Sequence, residues 1–335
     1  DQLYIPHLYD TLFALSKEGA RLFYEGEIGQ QIASDSLMKG GFLTMKDLTD
    51  YRVMERAPLQ TTYRGHTLFT NPPPSSGGSL IAFLLYLLQL YDVAGRFKFG
   101  TQEYMRLLTD VFHLTNLARK HEFDKHIYEP DVLQKLLSTQ TIAQYSEPIN
   151  SRLGNTTHLS VIDDEGNSAS LTHSSGAGSD YFVPQTGIML NNMLGESDLN
   201  PHGFHRWHNN VRLSSMMSPS LLVNQSGHQT VLGSSGSSRI RSALVQIISH
   251  LLDYGVPLQE AVNHPRLHVE GQQLNIEHGF NPDIINLLTL PKGWHKVTWQ
   301  NQNMYFGGVN AVGRYGKGQF TGAADERRSG VVMMG

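Results

Sequence analysis

Two alternating segments joined by a short glycine loop are the feature that most constrains the fold of this chain. Residues in Thr156–Ile162 alternate between two faces, which is the period of a β-strand. Asp164–Gly166 then has the composition of a three-residue hairpin loop, with glycine at a left-handed position that other residues adopt only at a cost. The segment Asn167–Ser174 returns as the second strand, so the sequence predicts an antiparallel hairpin.

Counting outward from the loop gives the register of the predicted hairpin. If Asp163 faces Asn167, the pairing places Thr156 opposite Ser174 at the open end. Directly opposed residues of an antiparallel pair have Cβ atoms about 4.5–5.5 Å apart on one face. The sequence therefore predicts that a serine hydroxyl lies beside the Thr156 hydroxyl.

A threonine at the start of a strand, with a second hydroxyl beside it, is a candidate nucleophile. The nearest side chain that could serve as a separate base is His158, two residues on. A threonine that is the first residue of a chain instead uses its own α-amine as the base, which here requires cleavage of the Asn155–Thr156 bond. The preceding segment, Thr139–Leu153, is polar and contains a proline, and we predict an exposed linker that favours such cleavage. The alternative interpretation is the ordinary start of a half-buried strand.

Composition and charge exclude several functional classes. The 335 residues include 26 Lys and Arg against 30 Asp and Glu, a net charge of −4, so we expect no nucleic-acid partner. The absence of cysteine excludes thiol catalysis and disulfides. The longest apolar run, Leu80–Leu90, is too short to span a bilayer and predicts a buried helix. His202, His205 and His208 lie close together without a suitably placed carboxylate, so we predict neither a metal nor a cofactor.

A loop of small residues, Gly233–Ser238, runs directly into a predicted helix at Arg239–Asp253. Backbone N–H groups at the start of a helix point towards anions, and the helix dipole adds to the attraction. The loop lacks the Lys-Ser/Thr ending of a P-loop, and the chain has no Gly-x-Ser-x-Gly elbow. The pattern therefore suits a phosphate or an oxyanion.

The hairpin motif resembles the processing site of the γ-glutamyltranspeptidase family, in which a precursor cleaves itself before the first threonine of a Thr-Thr-His triplet. The matching residues are Asn155–His158, and Ser-Val-Ile-Asp and Gly-Asn follow them. The segments Gly187–Asn192, Ser214–Pro219 and Gly233–Ile240 also resemble the family, and they occur in its order.

The resemblance implies an α+β fold, the N-terminal nucleophile hydrolase αββα sandwich, in which two stacked antiparallel sheets are flanked by helices. We expect that it extends from partway through the family's large subunit to the end of its small subunit, without the N-terminal part of the large subunit. Residues 1–155 then form the C-terminal part of the large subunit and residues 156–335 form the small subunit, together one domain.

The same resemblance implies catalytic roles for four residues. Thr156 falls on the nucleophile, and Ser174 falls on the second hydroxyl that hydrogen-bonds to it. Gly236 and Ser237 fall on the two backbone N–H donors of the oxyanion hole, where the family usually has two glycines. A serine presents the same N–H group, provided that its backbone conformation is allowed.

Substrate-binding roles are implied for four further residues. Ser214 and Ser215 fall on the paired serines that bind the α-carboxylate of the γ-glutamyl group, and Asn192 and Glu196 fall in the segment that holds its α-amine. The best-known members have Gln where this chain has Met193, which accepts no strong hydrogen bond. We expect Glu196 to take over that role.

The expected activity is transfer of a γ-glutamyl group from glutathione or another γ-glutamyl amide to an amino acid, a peptide or water. A poly-γ-glutamate depolymerase or a related acylase is an alternative, and so is a non-catalytic or unprocessed remnant used for binding or assembly. The family's carboxylate-binding arginine would lie in the absent N-terminal part, so we expect weak γ-glutamyl binding by this chain alone. The composition does not indicate a compartment, whereas the resemblance implies a periplasmic or extracellular one.

Overall fold

A computed structural model describes residues 4–136, 155–196, 199–200 and 202–335 of the chain. The predicted linker Thr139–Leu153 lies outside the described residues. The chain divides into two compact units, one formed by Asp1–Arg56 with Ser175–Met193 and the other by Ala57–Ser174 with Leu194–Gly335. The division into subunits at residue 156 stays a prediction.

The helices are α1 Leu8–Glu18, α2 Arg21–Tyr24, α3 Glu27–Met38, α4 Met45–Asp50, α5 Ser76–Gln89, α6 Val93–Arg96, α7 Gln102–Ala118, α8 Asp124–His126, α9 Val132–Leu136, α10 Arg239–Leu252, α11 Leu258–Asn263 and α12 Pro282–Leu287. The strands are β1 Leu59–Tyr63, β2 His66–Thr70, β3 Asn155–Ile162, β4 Ser168–Gly176, β5 Ser220–Asn224, β6 Gln229–Ser235, β7 Leu267–Glu270, β8 Gln273–Ile276, β9 His295–Thr298, β10 Gly308–Gly316 and β11 Gln319–Ala323.

The first unit contains the helices α1 to α4 and a small apolar core. Ile28, Ile32, Leu48 and Val183 form that core, so the segment after β4 packs with the N-terminal helices. The side chain of Thr44 caps α4 by accepting from the N–H of Asp47, whose carboxylate accepts from the N–H of Thr44 in return. This reciprocal capping satisfies two N–H groups that a helix start otherwise leaves unpaired.

The second unit is built on a six-stranded antiparallel sheet with the strand order β1-β2-β5-β6-β10-β11. Helices α5 and α10 cover one face, and Leu222 and Leu232 from the sheet enter the core that these helices share. The predicted buried helix is confirmed as α5, whose residues from Leu80 to Leu85 are at most 1% exposed. The helix ends at Gln89, and Leu90, the last residue of the predicted run, is 61% exposed. The predicted helix after the small-residue loop is confirmed as α10.

The hairpin β3–β4 packs on the opposite face of this sheet, over β6 and β10. Successive residues of a strand point to opposite faces, so Gly233 faces the hairpin while Leu232 faces the helices. The outward face of the hairpin is apolar and about half exposed, with Leu159 at 55%, Val161 at 46% and Leu171 at 55%. The layers of helix, antiparallel sheet and antiparallel hairpin confirm the predicted α+β class.

A buried charge cluster joins the C-terminal segment to the sheet. Asp325 accepts from Arg266 at 2.6 Å and from Arg327 at 3.1 Å, and Arg327 binds Glu277 at 2.7 Å. The four side chains are at most 2% exposed. Asp325 also accepts from the backbone N–H of Val309 in β10 at 2.8 Å. Removing one partner of such a pair leaves a buried charge uncompensated, at a cost of about 3–5 kcal/mol.

Among the described residues, no helix combines the length and apolar character needed to cross a bilayer.

A buried histidine makes the stability of the fold sensitive to acid. His250 in α10 lies in the core, with the Tyr104 hydroxyl 2.9 Å from its Nε2. Burial lowers its pKa to about 3, and nearby His264 and Arg266 act in the same direction. Below the ordinary histidine pKa of about 6.5, the unfolded chain binds a proton that the folded chain does not bind. This contribution to stability is therefore complete above about pH 6.5 and is lost as the pH falls towards 3.

We predict that His250→Gln weakens the pH dependence of stability. Between about pH 6 and pH 4, the free energy of unfolding of the unchanged protein should fall faster than that of the variant by about 1.4 kcal/mol per pH unit. Urea unfolding across this range measures the difference in slope, which does not depend on the overall stability of the variant. Parallel curves for the two proteins would contradict the prediction.

Candidate active site

The open end of the hairpin brings two hydroxyl groups together. Thr156, near the start of β3, donates from Oγ1 to Ser174 Oγ across a distance of 3.3 Å. At the closed end, the N–H of Asp163 donates to the carbonyl of Asn167 at 3.0 Å. Both contacts agree with the register counted from the loop, so the predicted proximity of Thr156 and Ser174 is confirmed. On the N-terminal side of Thr156, the described residues include the backbone of Asn155 and no residue directly before it.

The ring nitrogens of His158 are both engaged by hydroxyl groups within the hairpin. Nδ1 lies 2.7 Å from Thr172 Oγ1, and Nε2 lies 2.8 Å from Ser160 Oγ. Burial lowers the pKa of His158 to about 4, so the ring is neutral near pH 7. These contacts argue against His158 as the base for Thr156, and they favour the α-amine among the two candidates that the sequence leaves open.

Contacts along β6 fix the position of the hairpin on the sheet. The Ser170 hydroxyl lies 3.4 Å from the carbonyl oxygen of Leu232, and the His158 ring lies against Gly233. Of the two hairpin residues, His158 lies nearer to the open end than Ser170 does. Of the two β6 residues, Gly233 lies nearer to the last residue of the strand. The next residues on the inner face of the hairpin, Thr156 and Ser174, therefore point towards the end of β6.

The Gly236–Ser237 loop begins where β6 ends and leads into α10. Gly236 has φ 118° and Ser237 has φ 55°, both in the region that favours glycine. A Cβ atom at Gly236 would lie only 2.8 Å from Gly307 Cα, so the loop needs a glycine there. A left-handed conformation costs a non-glycine residue about 1–2 kcal/mol, and such strain is typical of functional sites.

The carbonyl groups of this loop fix the orientation of its peptides. The carbonyl of Gly236 accepts from the N–H of Arg239 at 3.1 Å, in the first turn of α10. In a trans peptide the N–H points away from the carbonyl. The N–H of Ser237, which shares its peptide with the Gly236 carbonyl, therefore points out of the start of the helix. This is the direction that an anion-binding N–H requires.

The paired serines Ser214 and Ser215 lie in the loop before β5. Strand β5 begins at Ser220, which pairs with Leu232 near the end of β6. Because the two strands are antiparallel, the loop before β5 and the loop after β6 lie at the same end of the sheet. The structure thus brings Ser214 and Ser215 to the end of the sheet at which the Gly236–Ser237 loop lies and to which the open end of the hairpin points.

The start of α5 supports the serine loop. The carbonyl of Ser215 accepts from the N–H groups of Ser76 at 2.9 Å and Gly77 at 3.1 Å. A Cβ atom at Gly77 would overlap the Met216 carbonyl oxygen and Ser218 Oγ. The glycine therefore permits the close approach of the two segments. The Ser-Ser-Gly-Gly run before the apolar helix is the sequence signal for this support, but it does not reveal which loop is held.

Glu196 is buried in a loop whose backbone is fixed by one asparagine. The side chain of Asn200 donates to the carbonyls of Leu194 at 3.0 Å and Glu196 at 2.8 Å, and it accepts from the Trp207 indole at 3.1 Å. Asn192 is exposed and belongs to the first unit. The roles of Glu196 and Asn192 in substrate binding stay predictions. Among the described residues, no three His, Asp or Glu side chains are arranged to hold a metal ion.

Known proteins with similar sequences include hydrolases and acylases made as proenzymes. The chain is 29% identical over 326 residues to the glutathione hydrolase proenzyme of Escherichia coli K12, covering 86% of this chain and 55% of that protein. It is 28% identical over 340 residues to the acylase ACY 1 proenzyme of Pseudomonas sp. strain V22, covering 96% and 60%. The chain thus spans little more than half the length of these relatives.

The fold is similar to that of the crystal structure of cephalosporin acylase from Bacillus halodurans. The TM-score is 0.77 at 23% sequence identity, with 98% of this chain and 62% of the acylase chain covered. This likeness confirms the predicted α+β fold class, in which antiparallel sheets are flanked by helices. The sequence model described as gamma-glutamyltranspeptidase matches residues 1–335. The chain therefore belongs to the γ-glutamyltranspeptidase family.

Proposed function

We propose that this chain carries the nucleophile of an acyl-transfer enzyme that acts on γ-glutamyl amides, with Thr156 as the attacking residue. The observation that carries the proposal is the 3.3 Å contact between the hydroxyls of Thr156 and Ser174, at the hairpin end that points to the strained Gly236–Ser237 loop. A nucleophilic hydroxyl beside preorganised N–H donors is what acyl transfer needs. Membership of the γ-glutamyltranspeptidase family supports the same chemistry.

The nucleophile becomes available when the bond between Asn155 and Thr156 is cut. The Thr156 hydroxyl attacks the Asn155 carbonyl, its proton passes to the departing α-amine, and water hydrolyses the resulting ester. The products are a chain that ends at Asn155 and a chain that begins with Thr156. The large and small subunits of the proposed enzyme thus come from one precursor, as the proenzyme names of the relatives suggest.

In the proposed reaction, the free α-amine of Thr156 takes the hydroxyl proton while Oγ1 bonds to the γ-carbonyl carbon of the donor. The backbone N–H groups of Gly236 and Ser237 stabilise the oxyanion. The amine leaving group departs with a proton, and a γ-glutamyl ester of Thr156 remains. An amino acid, a peptide or water then attacks this ester and restores the hydroxyl. Ser174 orients Oγ1 through its hydrogen bond.

The substrate contacts in this proposal come from two loops. Ser214 and Ser215 bind the α-carboxylate of the γ-glutamyl group, and their position at the same sheet end as the Gly236 loop supports that assignment. Glu196 binds the α-amine, because a buried ammonium requires an anionic or carbonyl partner. Glutathione or another γ-glutamyl amide is the proposed donor.

A second candidate is the deacylation of an amide that lacks the α-amine. The name acylase, which one group of relatives carries, supports deacylation. The specific observation in its favour is Met193, which stands where the best-known transpeptidases have glutamine. A poly-γ-glutamate substrate is a further alternative with the same nucleophile. A non-catalytic role predicts no cleavage, and a denaturing gel distinguishes one band from two fragments.

We predict that Thr156→Ala abolishes both chain cleavage and turnover of a γ-glutamyl anilide, because one hydroxyl serves both reactions. Thr156→Ser keeps a hydroxyl and should retain part of both. Denaturing gels follow cleavage, and release of the aniline follows turnover. Normal cleavage of the Thr156→Ala chain would contradict the proposed role of this residue.

The backbone conformation of Ser237 limits which substitutions can test the Gly236–Ser237 loop. Ser237→Pro would remove one N–H, but proline fixes φ near −65° and is incompatible with φ 55° at this residue. Ser237→Gly keeps the N–H and relieves the left-handed strain, so we expect unchanged turnover and a gain of about 0–1 kcal/mol in unfolding free energy. Gly236→Ala distorts the loop, and we expect turnover to fall about 10²-fold or more.

Gly227→Ala is the matched control for Gly236→Ala. Gly227 also has a positive φ, of 77°, but its surroundings are open and it lies between β5 and β6, at the opposite end of those strands. The control should lose stability without losing turnover per folded molecule. Equal turnover of the Gly227→Ala and Gly236→Ala proteins would remove the loop from the reaction.

We predict that Glu196→Gln discriminates between donors with and without an α-amine. The substitution keeps the shape of the side chain and removes its charge. KM for a γ-glutamyl anilide should rise at least about tenfold, because one partner of a buried charge pair is lost. KM for the matching glutaryl anilide, which lacks only the amine, should hardly change. An equal effect on both donors would show that Glu196 does not bind the amine.

A further inference from the structure

The imidazole of His158 occupies a space that exists because residue 233 is a glycine. A Cβ atom at Gly233 would lie 2.7 Å from His158 Nε2 and closer still to Cε1 and Nδ1. Real Cβ atoms do not approach ring atoms so closely, so the ring and the glycine are matched in shape. His158 is only 5% exposed in this position.

The hydrogen bonds of the ring connect three strands. Ser160 donates its hydroxyl to the carbonyl of Asn310 in β10 at 3.3 Å, so Ser160 Oγ accepts from His158 Nε2 and the opposite nitrogen accepts from Thr172. Asn310 returns a bond from Nδ2 to the His158 carbonyl at 3.3 Å. The ring thus joins β3 to β4, and through Ser160 and Asn310 it joins both to the sheet.

We propose that His158 is a positioning residue for the nucleophile, and that its ring, seated over Gly233, fixes where β3 lies along β6. Thr156 is two residues away on the same face, so the strand carries any shift of the ring directly to the nucleophilic hydroxyl. The inference rests on the proposed function, because it takes Thr156 to be the nucleophile.

The neutral state of the ring suits this role. The bonding pattern needs one nitrogen that donates and one that accepts, whereas a protonated ring has two donors. Burial favours the neutral ring by lowering the pKa of His158. The groups that contact the ring are the hydroxyls of Thr172 and Ser160 and the backbone at Gly233, and none of these carries a charge.

A small displacement of a nucleophile has a large effect on rate. A misplacement of about 1 Å can reduce the rate by about 10²-fold while substrate binding continues. Loss of the His158–Gly233 fit should therefore lower kcat and leave KM nearly unchanged. A purely structural role would lower the unfolding temperature but not the kcat of the folded protein.

A double-mutant cycle at these two residues tests the inference. Gly233→Ala places a methyl group where the ring lies, and we expect kcat for a γ-glutamyl anilide to fall about 10²-fold. His158→Ala removes the ring and should also lower kcat. In the double variant the new methyl group meets no ring, so kcat should recover about tenfold relative to Gly233→Ala. If the loss of kcat in the double variant equals the product of the losses in the two single variants, the inference is overturned.

Three further variants separate positioning from stability. Gly316→Ala is the control for Gly233→Ala, because Gly316 ends β10 and its Cβ would meet only the side chain of Gln319. Its kcat should stay unchanged. His158→Phe keeps a flat but larger ring and removes both hydrogen bonds, whereas His158→Asn keeps one polar contact. We expect an intermediate kcat for both, at temperatures where circular dichroism shows each protein folded. Unchanged kcat in a folded His158→Ala protein would overturn the inference.

Chain cleavage supplies a readout that needs no donor. The rate at which a freshly made precursor divides before Thr156 should follow the same pattern across the cycle. A protein that cleaves but does not turn over the γ-glutamyl anilide would refute the proposed substrate, and the cleavage rates would still test His158. If the protein is active but the two substitutions affect kcat independently, only the proposed role of His158 is refuted. A chain with neither reaction would remove Thr156 as the nucleophile and the inference with it.

Discussion

The polar contact between the β3–β4 hairpin and the six-stranded sheet is the constraint on which the rest of the second unit depends. Stacked sheets commonly bury interdigitated apolar side chains. Here hydroxyls of the hairpin face backbone carbonyls of the sheet, with Ser160 on Asn310 and Ser170 on Leu232. Such bonds are directional, so a slide of the hairpin along β6 breaks them, whereas an apolar interface tolerates small shifts. Directional contacts of this kind fix the position of a side chain at the end of the hairpin, such as that of Thr156.

The features that the sequence predicts well are local ones. Loop composition fixes the register of the hairpin, and the register puts Thr156 beside Ser174 without any knowledge of the remaining fold. The helices α5 and α10 are also predicted from local sequence. A long apolar run indicates that α5 is buried, and α10 begins directly after the small-residue loop. In each case the determining interactions lie within about 20 residues, so a repeat or a turn in the sequence is sufficient.

The features that the sequence could not supply come from close approaches between distant segments. His158 fits against Gly233, and Gly77 lets the Ser215 loop rest on the start of α5. A glycine in a sequence shows that space is needed but not what fills the space. The left-handed serine at position 237 was equally hidden, since serine gives no signal of a positive φ. The division into two units also joins segments far apart in the chain, Asp1–Arg56 and Ser175–Met193.

The buried cluster of Asp325, Arg327, Arg266 and Glu277 has a consequence for the order of folding during synthesis. Arg266 and Glu277 leave the ribosome before the acid and the guanidinium that neutralise them. Until Asp325 has been made, the Arg266 guanidinium lacks the carboxylate that it contacts at 2.6 Å, and β10 lacks the carboxylate that binds the N–H of Val309. The contact between this cluster and β10 therefore forms only after nearly all of the described chain has been made. A chain that stops short of Asp325 lacks the direct carboxylate partner of Arg266, so the cluster makes the stability of this core depend on residues near the end of the described chain.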